Sequence, residues 1–353
     1  MLNALRLLPL LTVLVALAVG CWTINHLDVG IGDEDVHRFQ ISWFIEGRYE
    51  IFQYVTMVPL YHWLVATLAD LSGLTSLQGL RLVHMALAAT AIPAFYLLCR
   101  RLYPECAAPR TLQFLFIPTL FPLYFVTYTD LPALAVTLLM LERVVARHYA
   151  WAAVFALLAV LMRQPNIAWV GFALALIACK VARDHGRGIF ALDNLRAAAR
   201  RGWPLLLVVF AFGAFVLWNG GVAVGDVEQH PLSINLSNLY FCLLVAWALF
   251  LPFNVEQLGN IGRLLAEHKW MWALLAAAFL VYFFTYTAPH KYNTPELDFY
   301  RHNLLIHYTV DFTLGRILAF VPIAWMALSF VTAANSSDYR REMLLLAPFA
   351  LLS

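Results

Sequence analysis

Apolar runs of about 17–25 residues recur along the whole chain, and the hydrocarbon core of a bilayer takes about 20 residues per spanning helix. Candidate spans lie at 5–24, 78–99, 111–127, 131–146, 150–163, 166–182, 203–220, 237–253, 270–287, 312–332 and 343–353. Of the 353 residues, 62% are hydrophobic and 12% charged, well above the ~45–50% apolar share of soluble domains. The pattern predicts an all-α polytopic membrane protein of about 10–11 transmembrane helices, in one integral-membrane domain over 1–353. A formal charge of +2 offers no basic stripe to a phosphate backbone, which argues against nucleic acid as a partner. The five cysteines (Cys21, Cys99, Cys106, Cys179, Cys242) lack metal-ligand spacing and read as packing residues. The first run has the outline of a signal peptide ending at Cys21, but Ala18 stands three residues before it, and a first membrane helix is the better reading.

Lys and Arg gather in short cytoplasmic loops. With the N-terminus inside, the inner segments hold 16 of the 23 basic residues, and the outer segments hold 7 basic but 13 of the 21 acidic ones. Counting 51–72 as a further span would invert every later loop. It is therefore read as an interfacial or re-entrant helix on the outer face, which Pro59, His62 and Asp70 suit. In 33–47, Val36, Phe39, Trp43 and Phe44 recur at helical spacing, as in an amphipathic surface helix. The first outer loop then covers 25–77 and the last 288–311.

This topology brings GDEDVHRF (32–39), YTD (128–130), RQPN (163–166), GDVEQH (225–230) and HKYNTPELDFYRHN (290–303) to one membrane face. Loops on a rigid helical scaffold commonly build a site in this way. On a helix, Asp33 would face His37 and Glu34 would face Arg38. Such a cluster also suits a solvated helix start, with acids at the positive end of the dipole. Directly after an apolar span, it is a functional candidate. Asp33-Glu34-Asp35 is literally a D-x-D, yet no glycine-rich phosphate cradle accompanies it, which argues against nucleotide binding. A divalent cation, Mg²⁺ or Mn²⁺, at Asp33, Asp35 and His37 is the arrangement that such hard ligands admit. Asp130 either caps the helix from 131, with Pro132 near its first turn, or acts as a second functional carboxylate. Arg163 lies outside against the basic-residue trend and suits a phosphate, with a snorkelling anchor as the alternative. Lys291 and Arg301 break the same trend, and with His290, His302 and His307 they suit an anionic ligand. Trp43, Tyr61 and Trp63 either face a sugar or anchor at the interface.

Read in order, GDEDVH, EGRYE, VTMVPLY, LRLVHMAL, FPLYFVTYTD, LMRQPNIAWV, NGGVAVGDVEQH and HKYNTPELDFYRHN resemble the dolichyl-phosphate-glucose α-1,2-glucosyltransferases over residues 25–310. The resemblance implies the polytopic C-type glycosyltransferase fold and inverting transfer from a polyprenyl- or dolichyl-phosphate sugar, with glucose as the hexose and a lipid-linked glycan as acceptor. By position, Asp33 and Glu34 match the family's Asp-Glu pair, His37 its following His, and Asp130 its Glu after Tyr-Thr. Arg163, Gln164 and Asn166 match Arg-Gln-Thr-Asn, with Pro165 in place of Thr, and Asp226 and His230 match the Gly-Asp and following His. Asp35 replaces an apolar residue.

The implied roles are a base at Asp33 or Glu34, oriented by His37, and a second carboxylate at Asp130. Arg163, with Arg301, His302 or Lys291, would bind the lipid phosphate. Gln164, Asn166, Asp226, His230 and His290 complete the substrate-binding set. The donor's lipid tail would lie in a groove between helices. Two cations neutralise a leaving monophosphate, so no cofactor is required. Arg outnumbers Lys 20 to 3, a bacterial pattern that places the chain in an inner membrane, or in the endoplasmic reticulum if eukaryotic, with its site on the periplasmic or lumenal face. The alternatives are a C-type transferase of another sugar, such as mannose or arabinose, and a transporter or flippase of lipid-linked glycans. The latter would show a broken helix near mid-membrane, related between two halves of the chain.

Overall fold

The computed structural model describes residues 2–186, 188–225, 236–288 and 304–334. Asp226, His230, His290, Lys291, Arg301 and His302, and the candidate span 343–353, lie outside the described residues. Every regular element among those described is helical. One compact unit, Met1–Leu232, holds α1 (Leu2–Asn25), α2 (Glu34–Ile45), α3 (Leu60–Ser72), α4 (Leu77–Ala88), α5 (Ala91–Leu102), α6 (Ala107–Leu115), α7 (Asp130–Val145), α8 (Tyr149–Met162), α9 (Ile167–His185) and α10 (Leu192–Asn219). A second, Ser233–Ser353, holds α11 (Leu236–Leu249), α12 (Leu251–Glu267), α13 (Trp270–Thr285) and α14 (Thr313–Ala333).

The chain is an all-α polytopic membrane protein. Among the described residues, five helical stretches are long and apolar enough to cross a bilayer: Leu8–Asn25, Leu77–Leu102, Gln164–His185, Leu192–Asn219 and Thr313–Ala333. α11 and α12, bent by 100°, make a sixth if the pair counts as one span. α7, α8 and α13 are apolar but only 14 to 16 residues long. The run at 111–127 is not one helix. α6 ends at Leu115, and Pro118 and Pro122 follow, so the chain turns before a short 3-10 segment at Phe121–Tyr124, because proline removes a backbone donor and blocks the preceding turn.

α3 extends for 13 residues, or about 20 Å at 1.5 Å per residue, too short to cross the hydrocarbon core. Gly73 ends it in the left-handed region at φ 70°, a conformation that costs glycine little. α4 starts where Ser76 accepts from the Gly79 N–H at 3.1 Å, an ordinary N-cap. The core of the first unit forms where Ile41 of α2, Tyr61, Val65 and Ala69 of α3, Leu80 and Val83 of α4, Ala133 of α7 and Met162 of α8 meet. These helices present the turns that carry the candidate site. In the second unit, Tyr282, Tyr286, Ile323 and Met326 form the core, and Arg316 donates to the Val310 and Phe283 carbonyls.

α2 forms where expected, but its buried face is rotated away from Val36, Phe39 and Trp43, and only Phe44 of the expected stripe packs against the core. Glu34, His37, Gln40 and Ile41 are buried, whereas Phe39 is 49% exposed. Hydrophobic spacing does not identify the buried face here, because the polar side chains each find partners in the protein.

Candidate active site

The most elaborate polar contact in the first unit is one that the motifs did not single out. Arg81, on α4 and 1% exposed, uses all five N–H donors. Its Nε and Nη2 donate to Glu34 Oε1 and Oε2 at 2.9 and 2.7 Å. Its remaining donors reach the carbonyls of Ile24, Leu27 and Val29 at 3.1, 2.6 and 2.9 Å. Glu34, 0% exposed, also accepts from Thr127 N–H at 2.9 Å and Ile31 N–H at 3.1 Å. Burial alone would raise the Glu34 pKa, but the hydrogen bonds and charge of Arg81, with the two amides, outweigh it and hold the carboxyl below its ordinary value. The pair ties together the end of α1, the start of α2 and the 127–130 turn. Glu34 thus pairs with Arg81, not with Arg38, which pairs with Asp35 at 3.0 Å.

Asp33 immediately precedes α2, and its side chain makes no cap hydrogen bond. It is exposed, and its carboxylate has no protein partner among the described residues. Its backbone is nevertheless held tightly. The Asp33 N–H donates to Tyr128 Oη at 2.6 Å, and that hydroxyl donates to Ile31 O at 3.1 Å. Gly32 adopts φ 59° here, and a Cβ on it would lie 2.5 Å from Tyr128 Oη, so both conformation and space call for glycine. The Asp33 turn is thereby fixed to the segment that opens α7. There Asp130 is the first helical residue and caps nothing; its carboxylate instead forms an ion pair with Arg163, each side chain between a third and two fifths exposed.

His37, the next turn of α2, does not contact the Asp33 side chain. Its Nδ1 lies 2.9 Å from His62 Nε2, in a buried pair. Burial lowers the His37 pKa to about 4; Asp130 and Glu34 pull it upward, Arg163 and His84 downward. Burial likewise depresses His62, with His37 adding to the effect. Beside them Tyr61, fully buried, meets His84 Nδ1 at 2.8 Å, and His84 Nε2 meets Leu123 O at 2.8 Å. Tyr61 is therefore a core residue and does not face a sugar, whereas Trp63 is 49% exposed. Among the described residues no three His, Cys, Asp or Glu side chains converge as a metal-ligand set; Asp35 is engaged with Arg38 and His37 with His62.

These depressed histidine values carry a sign. Below pH ~6.5 the unfolded chain binds protons that folded His37 and His62 refuse, so the stability present above ~6.5 declines as pH falls, for His37 down to about 4. Melting of the detergent-solubilised protein at stepped pH should show this decline, with His37→Gln reducing its slope; an unchanged slope would contradict the buried neutral pair.

Gln164, 2% exposed, donates to the carbonyls of Thr56 and Val222, both at 3.2 Å. The two loops it joins also pair directly, through Val224 N–H to Thr56 O and Gly225 N–H to Val55 O at 3.0 Å. Asn219 closes the NGGVAVG turn by donating to Gly221 O and Ala223 O. Asn166 donates back to Ala159 O at 3.0 Å. The amides of Gln164 and Asn166 thus build the loops around Arg163. Shortly before α14, His307 Nδ1 meets Asp311 at 2.8 Å.

An open apolar groove of about 670 Å³ runs along α1 from Leu8 to Ile24, closed on its other side by Phe116, Phe121, Pro122 and Phe125. Gly20 lets α1 approach this wall closely, since the Phe125 ring occupies the space a Cβ would take. At Ile24 the groove reaches the peptide that Arg81 holds.

Comparison with known proteins identifies a family. The chain is 26% identical over 294 residues to a Drosophila melanogaster protein named Dol-P-Glc:Glc(2)Man(9)GlcNAc(2)-PP-Dol alpha-1,2-glucosyltransferase, covering 74% of this chain and 64% of that one. Proteins of the same name in Mus musculus and Arabidopsis thaliana are 26% and 24% identical, covering 74% and 73% of this chain and 66% and 69% of theirs. The chain thus spans roughly two thirds of the length of these relatives. No solved structure matches. The family profile matches residues 28–337, a stretch that includes Asp33, Glu34, Arg81, Asp130 and Arg163, and the chain belongs to the DIE2/ALG10 family.

Proposed function

We propose that this protein transfers glucose from a polyprenyl-phosphate donor to a lipid-linked glycan at the outer or lumenal face of its membrane, with Asp33 as the base. The names of its relatives specify a dolichyl-phosphate-glucose donor and a dolichol-linked glycan acceptor. The observation that carries the assignment is the contrast between neighbours. Glu34 has four hydrogen bonds from three partners and is sealed from solvent, whereas the adjacent Asp33 carboxylate is exposed and unpartnered on a turn locked to the Asp130–Arg163 segment.

In this reaction the acceptor hydroxyl gives its proton to Asp33, and its oxygen attacks C1 of glucose from the face opposite the phosphate. The C1–O bond breaks, and its electron pair remains on the leaving polyprenyl phosphate, which gains a second negative charge. Arg163, held by Asp130, stabilises that charge, a task for which a fixed guanidinium is well suited. No metal is needed for the step. Asp226, His230, His290, Lys291, Arg301 and His302 remain proposed substrate contacts in loops that follow in the chain. Gln164 and Asn166 serve by shaping the loop that carries Arg163. The α1 groove would take the first units of the donor's lipid tail, since it is apolar and ends beside the clamped turn.

Purified full-length chain incubated with polyprenyl-phosphate [¹⁴C]glucose and a lipid-linked glycan acceptor should move label to the acceptor and release polyprenyl phosphate. Mannose and arabinose donors should give little transfer. Equal use of those donors, or no transfer with an acceptor that a relative glucosylates, overturns the reading. Ala16→Phe, which narrows the groove, should raise the donor KM about tenfold with kcat nearly unchanged.

A further inference from the structure

The His37–His62 contact contains a directional proton whose position the neighbours decide. His37 Nδ1 and His62 Nε2 are 2.9 Å apart, so one ring donates and the other accepts. If His37 donated, His62 would carry its own proton on Nδ1, and that atom is buried without a protein partner. Orphaned buried N–H groups are rarer in folded proteins than unpaired acceptors. If His62 donates from Nε2, its buried Nδ1 is left as a bare acceptor, the commoner of the two arrangements. The accompanying chain has a fixed direction as well. Leu123 O can only accept, so His84 Nε2 donates to it and Tyr61 Oη donates to His84 Nδ1. That chain holds α3, on which His62 follows Tyr61, against α4 and the 121–124 turn.

We propose that His62 is a positioning residue which donates to His37 Nδ1 and thereby fixes the His37 proton on Nε2, the ring atom with no protein partner among the described residues, as a hydrogen-bond donor to the sugar or phosphate of the substrate. The proposal rests on the transferase reading. It changes the role of His37, which is then a fixed donor and neither the base nor the orienter of Asp33. His37 is 5% exposed, and Nδ1 is taken by His62, which leaves Nε2 as the ring nitrogen that a substrate would meet. A donor placed at that edge, beside Asp130 and Arg163, would help hold the donor sugar-phosphate as C1–O cleavage proceeds.

The tautomer can be read without turnover. In full-length protein labelled with [¹⁵N]histidine, and with the His37 signals assigned by their loss in His37→Gln, the expected spectrum at pH 7 shows a bare Nδ1 and a protonated Nε2. A protonated His37 Nδ1 overturns the proposal, and this measurement remains decisive if variants at 62 fold poorly. Kinetically, His62→Phe fills the space but lacks the donor and should lower kcat about tenfold with the donor KM little changed. In His62→Gln the amide N–H can replace the lost donor, and transfer should return to within about threefold of wild type. Equal losses in the two variants, or full activity in His62→Phe, overturn it. Should wild-type protein show the expected tautomer yet transfer no glucose, the transferase reading fails while the His62 assignment of the proton stands.

Discussion

Arg81→Met is expected to lower stability by about 3–5 kcal/mol, the usual consequence of leaving one member of a buried ion pair alone. The methionine approximates the arginine's volume, so the loss would come mainly from electrostatics and hydrogen bonding. Glu34 would be left as a 0% exposed carboxylate with only two backbone N–H groups. The Ile24, Leu27 and Val29 carbonyls would lose their shared donor. Removing both partners, as in Arg81→Met with Glu34→Met, should cost less than the sum of the single changes, because neither charge then lies unpaired. Thermal melting and yield of the membrane-extracted protein measure this directly. A single variant with unchanged melting would show that the clamp contributes no stability. Arg81→Lys should fall between, since a point charge cannot reproduce a five-donor fork.

The second large effect is opposite in kind. Asp33→Asn should leave melting within about 0.5 kcal/mol of wild type, as for most exposed substitutions. Its kcat should nevertheless fall by about 10²–10⁴-fold, the contribution typical of a positioned general base. Glu34→Gln should show the reverse pattern: a loss of melting temperature and folded yield, with transfer per folded molecule less affected. The adjacent pair thereby becomes an internal control, one carboxylate testing chemistry and the other architecture. Full transfer by Asp33→Asn, with Glu34→Gln folded and inactive, would exchange the two roles.

Several features of this arrangement are legible in the amino-acid sequence. The concentration of ionisable groups at 32–39, the outlying Arg163 and the ordered motifs identify the relevant loops. The structure brings Asp33, Asp130 and Arg163 into one connected set through Tyr128. Arg81 was hidden in plain sight within LRLVHMAL. Like Arg163, it is a guanidinium close to one end of an apolar run, yet helical neighbours three or four residues away give it no partner. That partner is 47 positions distant in sequence. The same limit applies to α2, where i,i+4 spacing suggested pairs from Asp33 to His37 and from Glu34 to Arg38. The actual partners of Glu34 and His37 come from α4 and α3.

The amino-acid sequence by itself determined a helical membrane protein, because long apolar runs leave backbone polar groups no alternative partner in lipid except their own helix. It also determined family membership and the short list of loops that carry charge. Which of two adjacent carboxylates is buried and which is exposed, that Glu34, His37 and Gln40 of α2 turn inward, and that Gln164 and Asn166 brace loops all follow from the packing of distant segments. Those outcomes depend on donors and acceptors supplied by residues far away in the chain, and burial of a charge is tolerable only where such partners converge. Local pattern sets where a helix forms; long-range hydrogen bonding sets which of its side chains remain free for chemistry.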